Sequence, residues 1–268
     1  MATINTSRLA ALNNGTVAAS TLGECLAVDQ IVLLRHILTA LNLTVDNSAL
    51  ATLDERCAGM GISIQVAIIG EFLGEVTARM PKAKRDATLA QLSTHPSDTV
   101  RSWAAFAVGR TSAVHSLTQR LDYMRPFAAD SHFGVREWAW IAVRPYIAAD
   151  LDLALHCLLP WTADSDPNIR RFACESTRPR GVWCEHIKQL KERPAQGEAL
   201  LECLKADTER YVQNSVANWI NDASKSAPDW AIQLCTRWKK EANPDTNKII
   251  TRALRTLSKK DTSLLNMS

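Results

Sequence analysis

Apolar residues along this chain fall into short helical stripes that recur with a recognisable heading. From Asp130 the chain reads D-S-H-F-G-V-R-E-W-A-W, from Asp164 D-S-D-P-N-I-R-R-F-A-C-E, and from Asp207 D-T-E-R-Y-V-Q-N-S-V-A-N. In each copy an Asp stands five positions before a β-branched residue, Val135, Ile169 or Val212. A stripe then follows at three, four and seven residues: Trp138, Ala139 and Ala142; Phe172, Ala173 and Ser176; Ser215, Val216 and Trp219. An upstream copy sits around Val100 with Trp103, Ala104 and Ala107, and a ragged last one lies near Ile249. Spacing of this kind puts one apolar face on each helix.

Self-similarity at roughly 35 to 45 residues, each unit a helix pair, predicts an all-α, HEAT-like helical repeat solenoid, an α-α superhelix with a concave face. A single unit cannot bury its own stripe and must stack on its neighbours. The predicted helices run from Thr21, with Glu24 completing a capping box, through Leu41; over 48–59, closed by Gly59 and Gly61; on to about Met80; and over 84–94 after Pro81. The first clear repeat helix starts after Ser97-Asp98, and further helices cover 113–127, 134–143 with Pro145 as the stop, 150–159, 168–177, 184–192, 197–206, 210–223, 228–240 and 245–258. Before Pro81 the only aromatic residue is Phe72, whereas every Trp lies at or after Trp103. That break divides the chain into an N-terminal helical cap (1–82), a repeat array continuous with it (83–260) and a polar tail (261–268).

Composition narrows the picture. Seven cysteines with no C-x-x-C pair and no regular spacing with histidine speak against a disulfide framework and a structural zinc site. The N-terminus shows no signal pattern and no apolar run reaches spanning length, so a cytoplasmic protein without a membrane partner is expected. A net charge of +3 alone implies no polyanionic partner. Its distribution says more: Arg170, Arg171, Arg178 and Arg180 cluster, as do Lys239, Lys240, Lys259 and Lys260. Such clusters can follow a phosphate backbone or simply be solvated helix surface.

Candidate chemistry lies beside the stripes. Glu137, Glu175 and Asp222 stand two, six and ten positions beyond Val135, Ile169 and Val212, successive turns of one helical line. Asn214 and Asn218 fill the rest of that line in the third copy, with Asn221 beside it. Three stacked helices would thus present three carboxylates to one ligand. An ordinary ion-pair reading stands next to this: Glu137 with Arg136 or Arg171, and Glu175 with Arg171 or Arg178. Arg101, Arg136 and Arg170, with Asp98, Asp130 and Asp164, have the register of an inter-repeat ladder. Directly after Glu175 comes S-T-R-P-R-G-V-W, where two arginines suit phosphate and Trp183 suits stacking on a base, or plain packing between helices.

These segments, with N-N-G-T-V and T-L-G-E-C-L-A-V-D near the start, H-P-S-D-T-V-R-S-W-A-A-F, R-P-F-A-A-D-S-H-F-G-V-R-E-W-A-W and S-V-A-N-W-I-N-D-A-S-K, resemble in order the AlkC branch of the HEAT-like DNA alkylation-repair glycosylases. The resemblance implies a monofunctional glycosylase that removes cationic alkylated bases from double-stranded DNA, with no metal, cofactor or obligate protein partner. Glu137, Glu175 and Asp222 are then the expected catalytic acids. Arg136, Arg171, Arg178, Arg180, Trp140, Trp183, Asn214, Asn218 and Asn221 are the expected DNA contacts. The chain departs from the family pattern after Glu175, where a small residue commonly follows the glutamate and Leu-Pro commonly precedes the tryptophan. A non-catalytic nucleic-acid-binding module and a protein-interaction scaffold are the alternatives.

Overall fold

The computed structural model describes residues 4–111 and 116–259. Among them there are sixteen α-helices, three short 3-10 turns and no strand. In chain order the helices are α1 (Thr6–Asn13), α2 (Leu22–Ala27), α3 (Gln30–Ala40), α4 (Asn47–Cys57), α5 (Ile62–Ala78), α6 (Lys82–Ser93), α7 (Asp98–Arg110), α8 (Leu117–Ala128) and α9 (Phe133–Ala149). There follow α10 (Leu151–Leu158), α11 (Pro167–Glu175), α12 (Lys188–Glu192), α13 (Glu198–Leu204), α14 (Arg210–Ser224), α15 (Pro228–Lys239) and α16 (Pro244–Ala253). The chain forms two compact units, 1–143 and 144–268, so the cap boundary expected near residue 82 falls inside the first. The expected tail, 261–268, lies outside the described residues, as does part of the helix expected from Ala113.

Helix ends explain most departures from the predicted elements. The helix expected from Thr21 to Leu41 is two helices, because Asp29 caps a fresh start with bonds from the Ile31 and Val32 amides. Thr21 still caps the first, accepting from Glu24 N at 3.2 Å. Pro145 does not stop its helix; α9 continues to Ala149, giving up the one backbone bond a proline cannot donate. The helix expected over 184–192 begins only at Lys188, since Trp183 adopts a left-handed backbone (φ 61°) that ends any helical path there.

In the first unit α5 packs along α7 at backbone distance. Gly70 makes this contact possible: a Cβ there would run into Cβ of Phe106 and lie 2.8 Å from Trp103 O. Val100 and Trp103 from the repeat stripe, and Phe106 beside them, are fully buried, and Trp103 donates to Gln30 Oε1 at 2.9 Å, so this buried indole leaves no orphaned N–H. Arg101 forks onto Asp130 at 2.7 and 3.0 Å while reaching the His95 and Pro96 carbonyls.

In the second unit α14 is the central element, contacting α11, α15 and α16. Val212, Val216, Trp219 and Ile220 are fully buried on it, and Trp219 donates to Thr177 Oγ1 at 3.2 Å. Arg170 repeats the design of Arg101, forking onto Asp207 at 2.6 and 3.0 Å and reaching the Asp164 and Ser165 carbonyls. The ladder read from the sequence therefore joins each of these arginines to the Asp that heads the following copy.

Candidate active site

Two of the three expected acids meet in the second unit. Glu175 is the last residue of α11, and Asp222 lies in the final turn of α14. Arg178, just past the end of α11, joins them. Its NH1 donates to Glu175 Oε1 at 2.6 Å, and its Nε and NH2 donate to Asp222 Oδ2 at 2.9 and 2.7 Å. The remaining Glu175 oxygen accepts from Ser215 Oγ at 2.6 Å and stands 3.5 Å from Arg171 NH2. Asp222 Oδ1 accepts from Lys225 Nζ at 3.1 Å. Both carboxylate side chains are only 5% exposed and that of Arg178 12%.

Burial and charge compete at this cluster. Burial pushes the Glu175 carboxyl up, but Arg171 and Arg178 together outweigh it, and the group is held below the ordinary carboxylate value. Burial likewise works against the Arg178 charge, and the Glu175 and Asp222 carboxylates more than restore it, leaving the guanidinium harder to deprotonate than usual. Glu175 thus takes the ion-pair partners that the sequence offered as the alternative reading, Arg171 and Arg178. Asp222 takes the same Arg178 from 44 residues away.

The segment leaving this cluster is tied down at both ends. Arg144 spends its guanidinium on three carbonyls, Ser176 at 3.0 Å, Arg178 at 2.6 Å and Glu185 at 2.9 Å. Ile187 N donates to Pro179 O at 3.1 Å, closing the loop on itself. Gly181 leaves room for this fold, since a Cβ would collide with Cys184 Sγ. At the tip Val182 and Trp183 are 53% and 58% exposed. Arg180 turns back, donating to the Asp222 carbonyl at 3.1 Å.

The other expected site residues are placed as follows. Glu137 belongs to the first unit, where its Oε2 accepts from Trp140 Nε1 at 2.9 Å and Trp140 itself is buried. Arg136 donates to the Asp130 and Ser131 carbonyls at 2.6 and 2.9 Å, a loop-holding role like that of Arg101 and Arg170. Arg171 is buried, with its guanidinium 4.4 Å from the Tyr211 ring centroid. Asn214 and Asn218 are half-buried, and Asn218 accepts from Arg255 at 2.9 Å. Asn221, read as a DNA contact, is 1% exposed. Its amide donates to Ala253 O at 2.9 Å and accepts from Thr256 Oγ1 at 3.2 Å, so it ties α14 to the end of α16 and the turn after it.

Sequence reasoning missed Ser215, Lys225 and Arg144. A signal for Ser215 was available: it is a hydroxyl at the stripe position that Trp103, Trp138 and Phe172 fill in the other copies. Arg144 had none, because its partners are backbone carbonyls. Two clefts of about 430 and 510 Å³ lie elsewhere, in the first unit, lined by residues such as Gly74, Lys82 and Tyr123 and by Arg56, Phe72 and Arg79. Neither touches the acids. No helix among the described residues is long and apolar enough to cross a membrane.

No known family's sequence profile matches the chain. Over 119 residues it is 39% identical to the uncharacterized protein YhaZ of Bacillus subtilis (strain 168), a match that spans 44% of this chain and 33% of that relative. Its fold is similar to that of the Pseudomonas fluorescens alkylpurine DNA glycosylase AlkC, solved bound to DNA containing an abasic site analog. The TM-score is 0.69 at 25% identity, over 93% of this chain and 68% of that one. AlkD2 from Streptococcus mutans matches at TM-score 0.57 over 76% of this chain and 95% of its own, and at 22% identity that likeness speaks for the fold alone. The chain therefore has an all-α, HEAT-like helical repeat fold, similar to that of the AlkC and AlkD2 structures.

Proposed function

We propose that this chain is a monofunctional DNA glycosylase that removes cationic N-alkylated bases, such as 3-methyladenine and 3-methylcytosine, from duplex DNA in base excision repair. The observation that carries the reading is the convergence of Glu175 and Asp222, from two helices, on one arginine beside a loop with an exposed tryptophan. A cationic base is already a good leaving group. It departs with the electrons of its bond to C1′ as a neutral molecule, and positive charge builds on the sugar. Carboxylates held there stabilise that charge, and one of them accepts the proton of the water that adds to C1′. No cofactor is required for this sequence of steps.

Arg178 gives the mechanism its order. While both acids hold its guanidinium they are neutralised and covered. A DNA phosphate offers the same bidentate partner, so Arg178 trades the acids for phosphate and releases two buried negative charges toward the sugar. Lys225, whose side chain is 41% exposed, is a second cation that DNA can draw away from Asp222. The likeness to a glycosylase solved on abasic-site DNA supports this assignment.

One observation favours a second reading. Acids already satisfied by arginine and almost closed to solvent also suit a nucleic-acid-binding module with no chemistry. The two readings separate in a base-release assay on methylated duplex DNA, with the excised bases weighed by mass spectrometry. Glycosylase action predicts free 3-methyladenine from the native chain and a rate lowered by about 100-fold or more in Glu175→Gln and Asp222→Asn, with duplex binding retained. Salt-sensitive duplex binding without base release from any alkylated substrate would establish the binding module instead.

A further inference from the structure

Three side chains from distant parts of the first unit converge away from the acid pair: Cys25 in α2, Asp98 at the start of α7 and His132 just before α9. Cys25 Sγ lies 3.8 Å from Asp98 Oδ2, and His132 Nδ1 lies 3.4 Å from the same oxygen. All three donor atoms fall within 4.8 Å of one another. A tetrahedral zinc ion with bonds of about 2.3 Å to sulfur and about 2.1 Å to nitrogen and oxygen has ligand-to-ligand edges of roughly 3.4 to 3.7 Å. The His132–Asp98 edge of 3.4 Å falls in this range and the Cys25–Asp98 edge of 3.8 Å lies just above it.

One residue, Ala19, orients two of the three groups through its backbone. Ala19 N donates to Asp98 Oδ1 at 2.8 Å, and Ala19 O lies 2.7 Å from His132 Nε2. A carbonyl only accepts, so Nε2 carries the proton and Nδ1 presents its lone pair to the cluster. That lone pair accepts the Gly134 N–H at 3.1 Å and lies 3.4 Å from Asp98 Oδ2, where the His132 and Asp98 side chains are 11% and 5% exposed, so a cation would bind here in exchange for that one hydrogen bond. Holding the far side of a histidine and a carboxylate through backbone atoms is how proteins fix metal ligands in one orientation. The Gly134 amide, 3.1 Å from Nδ1, caps the start of α9; when a metal takes the lone pair, this N–H joins the unpaired donors normal to a first helical turn.

We propose that Cys25, Asp98 and His132 bind one zinc ion, with water in the fourth position, and that the ion staples the 19–25 segment to the starts of α7 and α9. A thiolate, an imidazole and a carboxylate together select a borderline-soft divalent ion over magnesium or calcium. The site escapes Cys and His spacing rules because its ligands are 73 and 34 residues apart in sequence.

The test uses the full chain, stripped with chelator and titrated with zinc alone and, separately, with cobalt(II). One tightly held ion per chain is expected, and the cobalt form should show a thiolate-to-metal charge-transfer band in the near ultraviolet. Cys25→Ser should lose the band and the ion, while Cys203→Ser, which removes an exposed thiol of the second unit, should keep both. His132→Gln should weaken retention. A folded native chain that holds no stoichiometric ion, or binds cobalt without the thiolate band, overturns the proposal; so does metal content unchanged in Cys25→Ser. The native-chain spectrum decides the matter even if a variant fails to fold.

Discussion

Replacing Arg178 with methionine keeps the length and the apolar stem of the side chain while removing the charge that Glu175 and Asp222 share. Both acids are buried, and each would be left with one weaker or more exposed cationic partner: Arg171 at 3.5 Å for Glu175, and the part-exposed Lys225 for Asp222. Deleting one member of a buried ion pair costs about 3–5 kcal/mol, because the remaining charge stays out of water uncompensated. For a chain of this size that corresponds to a fall in Tm on the order of 6–20 °C. The pH dependence carries a further signature. In the native chain the Glu175 carboxyl is depressed below its ordinary 4.5, so its contribution is fully present above that value and is lost as pH falls through the lower folded-state value. Without Arg178, burial pushes the group up against Arg171 and Ser215 alone, the folded-state value rises, and that contribution shrinks. The penalty of Arg178→Met is therefore largest near neutral pH and diminishes as pH drops below 4.5. Urea denaturation of both proteins at several pH values measures it. A penalty under about 1 kcal/mol at neutral pH would show that the arginine contributes little there, and one independent of pH would remove the carboxylates from the explanation.

Three other substitutions probe separate parts of the structure. Gly70→Ala should cost about 1–3 kcal/mol or more by overpacking the α5–α7 contact, read as a lowered urea midpoint with an unchanged slope. Arg170→Met should cost about 1.5–3 kcal/mol, with most of it vanishing when Asp207→Asn is already present, as a double-mutant cycle would report. Trp183→Gly should leave stability within about 1 kcal/mol, since glycine is at ease at φ 61° and the ring is largely exposed, while duplex affinity falls by the roughly 1–3 kcal/mol expected of one stacked base. Unchanged affinity in a filter-binding or anisotropy titration would remove Trp183 from the DNA surface.

The repeat heading was enough to place Glu175 and Asp222 on their helices, because helix register is a local property: six and ten positions past a buried β-branched residue is a geometric statement about one helix. What joins them was not legible. Arg178 had been read both as a partner of Glu175 and as a phosphate contact, and nothing in the spacing could tell that Asp222, 44 residues on, completes its fork. Asn221 failed for the opposite reason. A polar residue on a polar line looks exposed, yet this one satisfies the Ala253 carbonyl and the Thr256 hydroxyl at and just past the end of α16. Helix existence was read correctly nearly throughout. The errors at Asp29, Pro145 and Cys184 come from a side-chain cap, a tolerated proline and a left-handed residue, each of which overrides periodicity within a turn or two.

The clasp formed by Pro179 and Ile187 has a practical meaning for variation. With its two ends fastened to each other and its root gripped by Arg144, the loop confines cheap variation to its exposed Val182–Trp183 tip: Arg180 donates to the Asp222 carbonyl and a Cβ at Gly181 would collide with Cys184, so changes at those two positions are passed on. Closure entropy grows only slowly with added residues, so insertions at the Val182–Trp183 tip are tolerated far more cheaply than any change at its base. The tip can therefore vary while the charged pair behind it stays untouched, and it is the natural place to graft new sequence.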